Sequence, residues 1–219
     1  RFWDQAQQQI KNITDPQLGV GVGNIFLPDS EVQYYLNWRN VKQIDLALYA
    51  VELNRDVKLN EKQQNWLQAI NTGGLEKIKS WQRDTKDAGN YKPGNETVRL
   101  DLKLKPGAYL LEARAGGKEA RELILVTDAA LVLKSSGRQA LAYVCNALDG
   151  SPLPNAQVRL VEQWWDNNTW RTREQTKEAG ADGIAVFEIE KHANNNLQLF
   201  ASAIRADRHA FSPGNSHWS

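Results

Sequence analysis

The side chains best suited to nucleophilic or metal chemistry are one cysteine and three histidines in a chain of 219 residues. Cys145 follows the apolar run 141–144, and no His or Lys stands close to it in sequence to lower its thiol pKa. This setting favours a buried small hydrophobe over a nucleophile. His192, His209 and His217 form no H-E-x-x-H or similar pair, which favours solvated or locally bonded imidazoles over metal ligands.

The carboxylates and glycines give no stronger sign of catalysis. Glu174, Glu178 and Glu188 are most simply solvated strand or loop residues, although the two acids of a glycosidase can lie far apart in sequence. The alternating glycines of residues 19–23 lack the preceding strand and following helix of a dinucleotide-binding loop. The sequence therefore predicts no catalytic residue, no metal site and no cofactor, and an enzyme is the weakest reading.

The tryptophans offer the most distinctive side chains for an interaction. Trp164, Trp165 and Trp170 surround a polar segment that reads as a hairpin tip. Trp165 and Trp170 flank the four residues 166–169, so we expect a cross-strand aromatic pair. Trp164 and Trp165 are adjacent in a strand and must face opposite sides, so at most one of them belongs to the core. The three indoles are a possible interaction surface, either for a sugar or for a protein, while hairpin and domain packing is the structural alternative.

Composition limits the classes of partner. The chain carries 27 Lys and Arg against 26 Asp and Glu, a net charge of +1, which gives no general attraction to nucleic acid. No apolar run approaches the roughly 20 residues that cross a bilayer, so no membrane span is expected. A single cysteine excludes an internal disulfide, and the absence of methionine suggests a chain processed or excised from a longer one.

The elements that must hold these side chains begin with a helix. Phe2, Trp3, Ala6, Ile10 and Ile13 share one side of a 3.6-residue period, which predicts an amphipathic helix within an N-terminal segment 1–16. From Val32 to Ala50 the period becomes two, and the pattern indicates two strands joined as a hairpin near Asn40. Residues of about 55–95 interrupt the alternation and read as a helical insertion, with Leu75, Ile78 and Trp81 forming a short helical turn.

Short strands and turns then alternate to the end of the chain. Strands are predicted from Val98 onward, separated by turns at Pro106-Gly107 and Gly116-Gly117. Further strands follow across 130–204, and Val126 to Asp128 is the expected boundary. The prediction is a mainly β chain of two tandem antiparallel β-sandwiches, of the macroglobulin or fibronectin-III type. The first spans 17–128 with its helical insertion, and the second spans 129–219.

Two stretches carry a resemblance to a known family. The first runs from Leu104 to Ala113 (L-K-P-G-A-Y-L-L-E-A) and continues with L-I-L-V-T-D to Asp128. The second begins at Leu131 and contains D-G-S-P-L-P-N-A-Q-V-R-L from Asp149 to Leu160, followed by A-D-G-I-A-V-F ending at Phe187. Their order resembles consecutive N-terminal macroglobulin domains of the bacterial alpha-2-macroglobulin family.

The resemblance implies a role that belongs to a larger molecule. Members of this family are protease inhibitors that trap a protease after it cleaves a bait segment, and many carry a C-x-E-Q thioester. Cys145 is followed by Asn146, Ala147 and Leu148, so no thioester lies in this chain. The expected role is structural, with neighbouring domains of the same chain and target proteases as partners, in the periplasm, cell envelope or secreted fraction of a bacterium. The alternative is an extracellular module that binds carbohydrate or protein.

Overall fold

The computed structural model describes residues 2–23, 25–58, 66–190 and 197–217, with the backbone alone for 213–217. The chain begins with helix α1 (Phe2–Thr14), which confirms the predicted amphipathic helix. None of its side chains is buried. Pro16 follows two residues after the helix ends, at a position where the pre-proline residue disfavours helical backbone.

The N-terminal half (residues 2–128) contains two facing sheets. Three strands form the order β1-β3-β6, and five form β2-β8-β7-β4-β5, in which only the short β2 pairs in parallel. Their inward faces share one core that includes Leu36, Ile44, Leu111 and Ile124. The strands are β1 (Gln17–Val22), β2 (Ile25–Phe26), β3 (Gln33–Arg39), β4 (Gln43–Val51), β5 (Lys77–Asp84), β6 (Gly94–Arg99), β7 (Gly107–Ala115) and β8 (Lys118–Val126).

The C-terminal half (residues 129–217) repeats this arrangement. Three strands in the order β13-β10-β9 face four in the order β12-β11-β14-β15, and all pairs are antiparallel. Phe187, Leu160 and Leu199 lie fully buried between the sheets. The predicted fold class, two mainly antiparallel β-sandwiches, is therefore confirmed. The strands are β9 (Ala129–Ser136), β10 (Gln139–Asn146), β11 (Gln157–Asp166), β12 (Thr169–Glu178), β13 (Ile184–Glu188), β14 (Leu197–Arg205) and β15 (Arg208–His217).

The insertion predicted at about 55–95 is less helical than expected. Its described helices are α2 (Leu53–Asp56), α3 (Trp66–Ala69) and one 3₁₀ turn (Thr72–Gly74), while residues 59–65 lie outside the described part. The helical turn through Leu75, Ile78 and Trp81 is wrong, because this segment enters the edge strand β5. Leu75, Ile78 and Trp81 are spaced three residues apart, as apolar residues are on one side of a helix. The charged and polar side chains between and after them, such as Lys77, Lys79 and Arg83, are typical of an edge strand that is protected from pairing with another chain.

Two turns also differ from their predictions. Strands β3 and β4 do not form a hairpin, because β3 pairs with β1 and β6 while β4 pairs with β5 and β7. The connection at Asn40 (φ 55°) thus carries the chain from one sheet to the other. The turn between β11 and β12 holds two residues rather than four. Asn167 and Asn168 both have positive φ, as a tight hairpin turn requires.

Candidate functional site: the interface between the two halves

The tryptophan cluster lies at the β11–β12 hairpin tip, as predicted. Trp165 and Trp170 are direct register partners, and their ring centroids are 5.3 Å apart at an interplanar angle of 75°. This confirms the cross-strand aromatic pair. Trp164 points to the other side and packs against the core of the C-terminal half.

The geometry of the pair limits what it can bind. A sugar-stacking platform presents ring faces to solvent, whereas these two rings meet edge to face. Trp165 is 38% exposed, so one indole is accessible at its edge of the sheet. The pair therefore serves as a hairpin clamp, and glycan or protein binding by Trp164, Trp165 and Trp170 stays a prediction.

A more extensive contact joins the outer faces of two sheets. The strands β7 and β8 bury residues on both faces, one in the sandwich core and the other against residues 53–58 and 66–75. Ile204 and Phe211 of the C-terminal half pack against this second cluster. We call this contact the seam. It is formed by residues 53–58 and 66–75, together called the seam segment, with the facing surfaces of β4, β7, β8, β11, β14 and β15. Its apolar part contains Tyr49, Val51, Leu53, Val57, Ile70, Ala108, Leu110, Leu123 and Leu125.

Arg159 enters the seam from β11. Its guanidinium donates to the carbonyl of Val57 at 2.6 Å and makes a longer contact of 3.5 Å to that of Leu53. Two further bonds, of 3.0 and 2.6 Å, join Nε and Nη2 to the two carboxylate oxygens of Glu174. Helix ends leave carbonyl oxygens without intrahelical donors, and here a charged side chain of the other half satisfies them around α2.

Arg121 of β8, in the N-terminal half, also donates to backbone carbonyls of the seam segment. Its Nη1 donates to the carbonyl of Ile70 at 2.8 Å and to those of Leu67 and Gln68 at 3.3 Å. Its charge is balanced by the buried Glu112 at 2.7 Å and by Glu119 at 2.8 Å. The carbonyls of α3 and its following turn are thus held by β8, while the α2 region is held by β11. The seam segment is fixed from both sides.

Shorter polar and aromatic contacts complete the seam. The amide of Asn54 donates to Gln157 Oε1 at 3.3 Å, and its oxygen accepts from Ser202 Oγ at 2.6 Å. The ring of Trp66 lies 5.0 Å from that of Phe211. These contacts link one short segment to β11, β14 and β15. They pin the relative orientation of the halves rather than only their proximity.

The residues first considered for chemistry are not brought together. Cys145 is buried in β10, and burial, assisted by Asp149, raises the pKa of its thiol, which disfavours the nucleophilic thiolate. His209 is buried in β15, and desolvation lowers the pKa of its imidazole. His192 lies outside the described residues, and so does the side chain of His217. Glu174 pairs with Arg159, whereas Glu178 and Glu188 are exposed.

Two other kinds of feature are missing from the described residues, a cluster of metal ligands and a helix that could cross a membrane. Within the ranges that the structure describes, no cluster of three or more His, Cys, Asp and Glu side chains has the arrangement of a metal site. Over the same residues, no helix is long and apolar enough to cross a membrane.

The seam residues were missed by the sequence prediction for a physical reason. Arg159 alternates with Val158 and Leu160 in β11, so the pattern places it on the solvent face. The available signal was elsewhere, in the uninterrupted apolar runs 108–111 and 123–126. Such runs indicate strands buried on both faces and therefore a further layer over the sheet.

Comparison with known proteins gives a fold-level relationship. No family model matches the chain. The fold is similar to a solved fragment of native alpha-2-macroglobulin from Escherichia coli that spans domains MG0-NIE-MG1, with a TM-score of 0.54 and 15% identity. That match covers 90% of this chain and 64% of the fragment. A shorter fragment spanning NIE-MG1 matches with a TM-score of 0.50 and 14% identity, over 91% of this chain and 97% of the fragment.

The match to the shorter fragment shows how much of this chain shares the fold. Since nearly all of the NIE-MG1 fragment is covered, the similarity embraces both sandwiches in their order. The predicted resemblance to consecutive alpha-2-macroglobulin domains is thus supported at the level of fold. Because the chain spans 64% of the longer fragment, activities of a whole molecule do not follow from this likeness.

Proposed function

We propose that this chain is a rigid, non-catalytic pair of domains in the shell of a bacterial alpha-2-macroglobulin-like protease trap, in the periplasm or cell envelope. The single observation that carries the proposal is the seam. A binding module or an enzyme needs an open, convergent site. In this chain the contact between the two sandwiches holds the buried guanidinium of Arg159 from one half on the backbone of the other, and Arg121 fixes the same segment from its own side. Such a contact suits a part whose task is to hold a fixed shape.

The similarity to both domains of the NIE-MG1 fragment supports the same reading. A trap must keep its domains in a set arrangement until a protease cleaves it, so relative motion of adjacent domains would weaken the enclosure. The seam opposes that motion through directional bonds, which fix orientation more sharply than apolar contact alone. Cys145 contributes by packing, since it lies buried in a strand and has no C-x-E-Q context.

The test uses the full-length parent protein and a general protease such as trypsin. A trapped protease keeps its activity toward a small peptide and loses most of its activity toward a large protein substrate. We expect this difference for the wild type and for Cys145→Ala, and a weaker difference for Arg159→Ala. Arg99→Ala, which removes a surface ion pair of equal length, is the matched control and should behave as wild type. Equal activity toward both substrates in the presence of the wild type would refute the trap function.

A further inference from the structure

Helix α1 presents an uncovered apolar stripe. Phe2 is 87% exposed, Trp3 72%, Ile10 52% and Ile13 47%. With Ala6, these side chains fall within about 100° of the helix circumference at 3.6 residues per turn. The opposite side carries Asn and Gln with the charges of Asp4 and Lys11. A soluble protein rarely leaves such a continuous apolar stripe in water unless another surface covers it.

The helix is fixed at its base, so the stripe has a defined direction. The side-chain amide of Asn40 donates to the carbonyls of Ile13 at 2.7 Å, Thr14 at 2.9 Å and Asp15 at 3.3 Å. Pro16 then packs closely on the β7–β8 turn, where a Cβ at Gly116 would lie 2.7 Å from the proline ring. These contacts satisfy the last carbonyls of the helix and leave its apolar stripe exposed to solvent.

Charge argues against a lipid surface as the cover. Helices that lie on membranes carry many Lys and Arg residues on the polar side, because anionic lipids attract them. The polar side of α1 has one lysine, Lys11, and one aspartate, Asp4, with Gln and Asn filling the rest. It therefore has no electrostatic preference for an anionic bilayer.

Area argues against a second copy of this chain. Two aromatic and two isoleucine side chains on one 13-residue helix offer on the order of 500 Å² of apolar surface. Stable association of free partners needs about 800 Å² from each. A partner in the same polypeptide binds with a smaller surface, because the connection raises its effective concentration to about the millimolar range.

We infer that the apolar stripe of α1 is the docking surface for a further domain that precedes it in the same polypeptide. This rests on the proposed function. The solved Escherichia coli fragment that spans MG0-NIE-MG1 is covered to 64%, whereas the NIE-MG1 fragment is covered to 97%, so the longer fragment holds one domain, MG0, before the matched pair. The occupant has an apolar patch of complementary area and needs no matching charge.

Hydrogen exchange in the full-length parent protein tests this docking. We compare the wild type, Ile10→Glu on the stripe, and Gln8→Glu on the opposite side as the matched control. An uncovered helix of this length exchanges rapidly in all three proteins. If the stripe is covered, backbone amides of residues 4–12 are protected in the wild type and in Gln8→Glu, and exchange at least about tenfold faster in Ile10→Glu. Rapid exchange in the wild type, or unchanged protection in Ile10→Glu, overturns the inference.

The same protein identifies the occupant. Benzoylphenylalanine at position 3 should cross-link to residues that precede Arg1, and an adduct elsewhere in the chain overturns the proposal. Protection that rises with protein concentration would assign the stripe to a second copy. Protection that appears only with phosphatidylglycerol vesicles would assign it to lipid. Hydrogen exchange at residues 53–57 measures the stability of the seam in the same experiment. Rapid exchange there would count against the proposed scaffold, whereas rapid exchange only at residues 4–12 would count against the docking surface.

Discussion

Replacement of Arg159 by alanine should weaken the seam more than any surface ion pair of the chain. The guanidinium side chain is 7% exposed, and it joins Glu174 of its own sheet to the carbonyl of Val57. After the substitution that carbonyl, on a residue that is 2% exposed, loses its charged donor. A buried acceptor left without a partner costs about 1–3 kcal/mol.

The contribution of Glu174 is smaller because its side chain is 46% exposed and water can solvate it again. Removing one partner of a fully buried pair costs about 3–5 kcal/mol. Because the charge left on Glu174 is half exposed, we expect a loss near or below the lower end of this range. Together the two effects predict a loss of about 3 kcal/mol of unfolding free energy, or more than about 100-fold in the equilibrium constant.

Arg99→Ala provides the control at equal geometry. Arg99 and Glu31 are also 2.6 Å apart, but their side chains are 66% and 56% exposed. Exposed pairs contribute about 0.2–1 kcal/mol and are screened by salt. Urea unfolding followed by far-ultraviolet circular dichroism and by tryptophan fluorescence measures both variants. The wild type should show coincident transitions, and Arg159→Ala should separate them as the halves uncouple.

Two outcomes would refute this reasoning. Losses for Arg159→Ala and Arg99→Ala that agree within about 0.5 kcal/mol would mean that burial adds nothing to the seam pair. Coincident transitions in Arg159→Ala, with an unchanged denaturant slope, would mean that the halves stay coupled without this side chain.

Three further predictions concern single positions. Gly183→Ala should cost several kcal/mol, because its Cβ would lie 2.5 Å from the carbonyl oxygen of Val144, whereas Gly137→Ala, also at positive φ but with open space, should cost about 1 kcal/mol in thermal unfolding. Burial lowers the pKa of His209 below its ordinary value of 6.5, so the unfolded chain binds a proton at this residue more readily than the folded chain. The contribution of His209 to the free energy of unfolding should be constant above about pH 7.5 and fall as the pH drops through 6.5. In urea unfolding at a series of pH values, His209→Leu should remove this part of the pH dependence. The buried thiol of Cys145, whose pKa is raised, should react with a disulfide reagent at pH 8 much more slowly in the native protein than in guanidinium chloride, and equal rates would contradict its burial.

The sequence pattern predicted strands well where one face is buried and the other is wet. Residues 33–38 alternate exposed and buried positions, and this alternation placed β3 correctly. It did not say which strand would be its neighbour. The connection at Asn40 therefore read as a hairpin, although the chain changes sheets there. Pairing depends on the packing of two layers, which a period-two pattern within one strand does not encode.

The seam could not be predicted from the sequence pattern for a related reason. An arginine that alternates with apolar residues, as Arg159 does, looks solvated until a second layer covers it. The layer is formed by residues 53–58 and 66–75. Their two described α-helices, α2 and α3, have four residues each, too few for a recognisable helical period. The aromatic pair of Trp165 and Trp170 was predictable because register in a hairpin follows from its short turn.

The charged bonds of the seam contribute more to a fixed orientation of the two sandwiches than to the free energy of unfolding. Apolar side chains in place of both members of each pair, Arg159 with Glu174 and Arg121 with Glu112, could fill the same space, and replacing a whole buried ion pair in this way often stabilises a protein. Apolar contacts, however, tolerate sliding, whereas a guanidinium bonded to both a carboxylate and backbone carbonyls has few alternative positions. One arginine reaches the seam segment from each half, so a rotation of either sandwich breaks charged bonds. Fixed orientation is the property that a scaffold of tandem domains needs, and replacing Arg159 by methionine should keep the chain folded while loosening the angle between its halves.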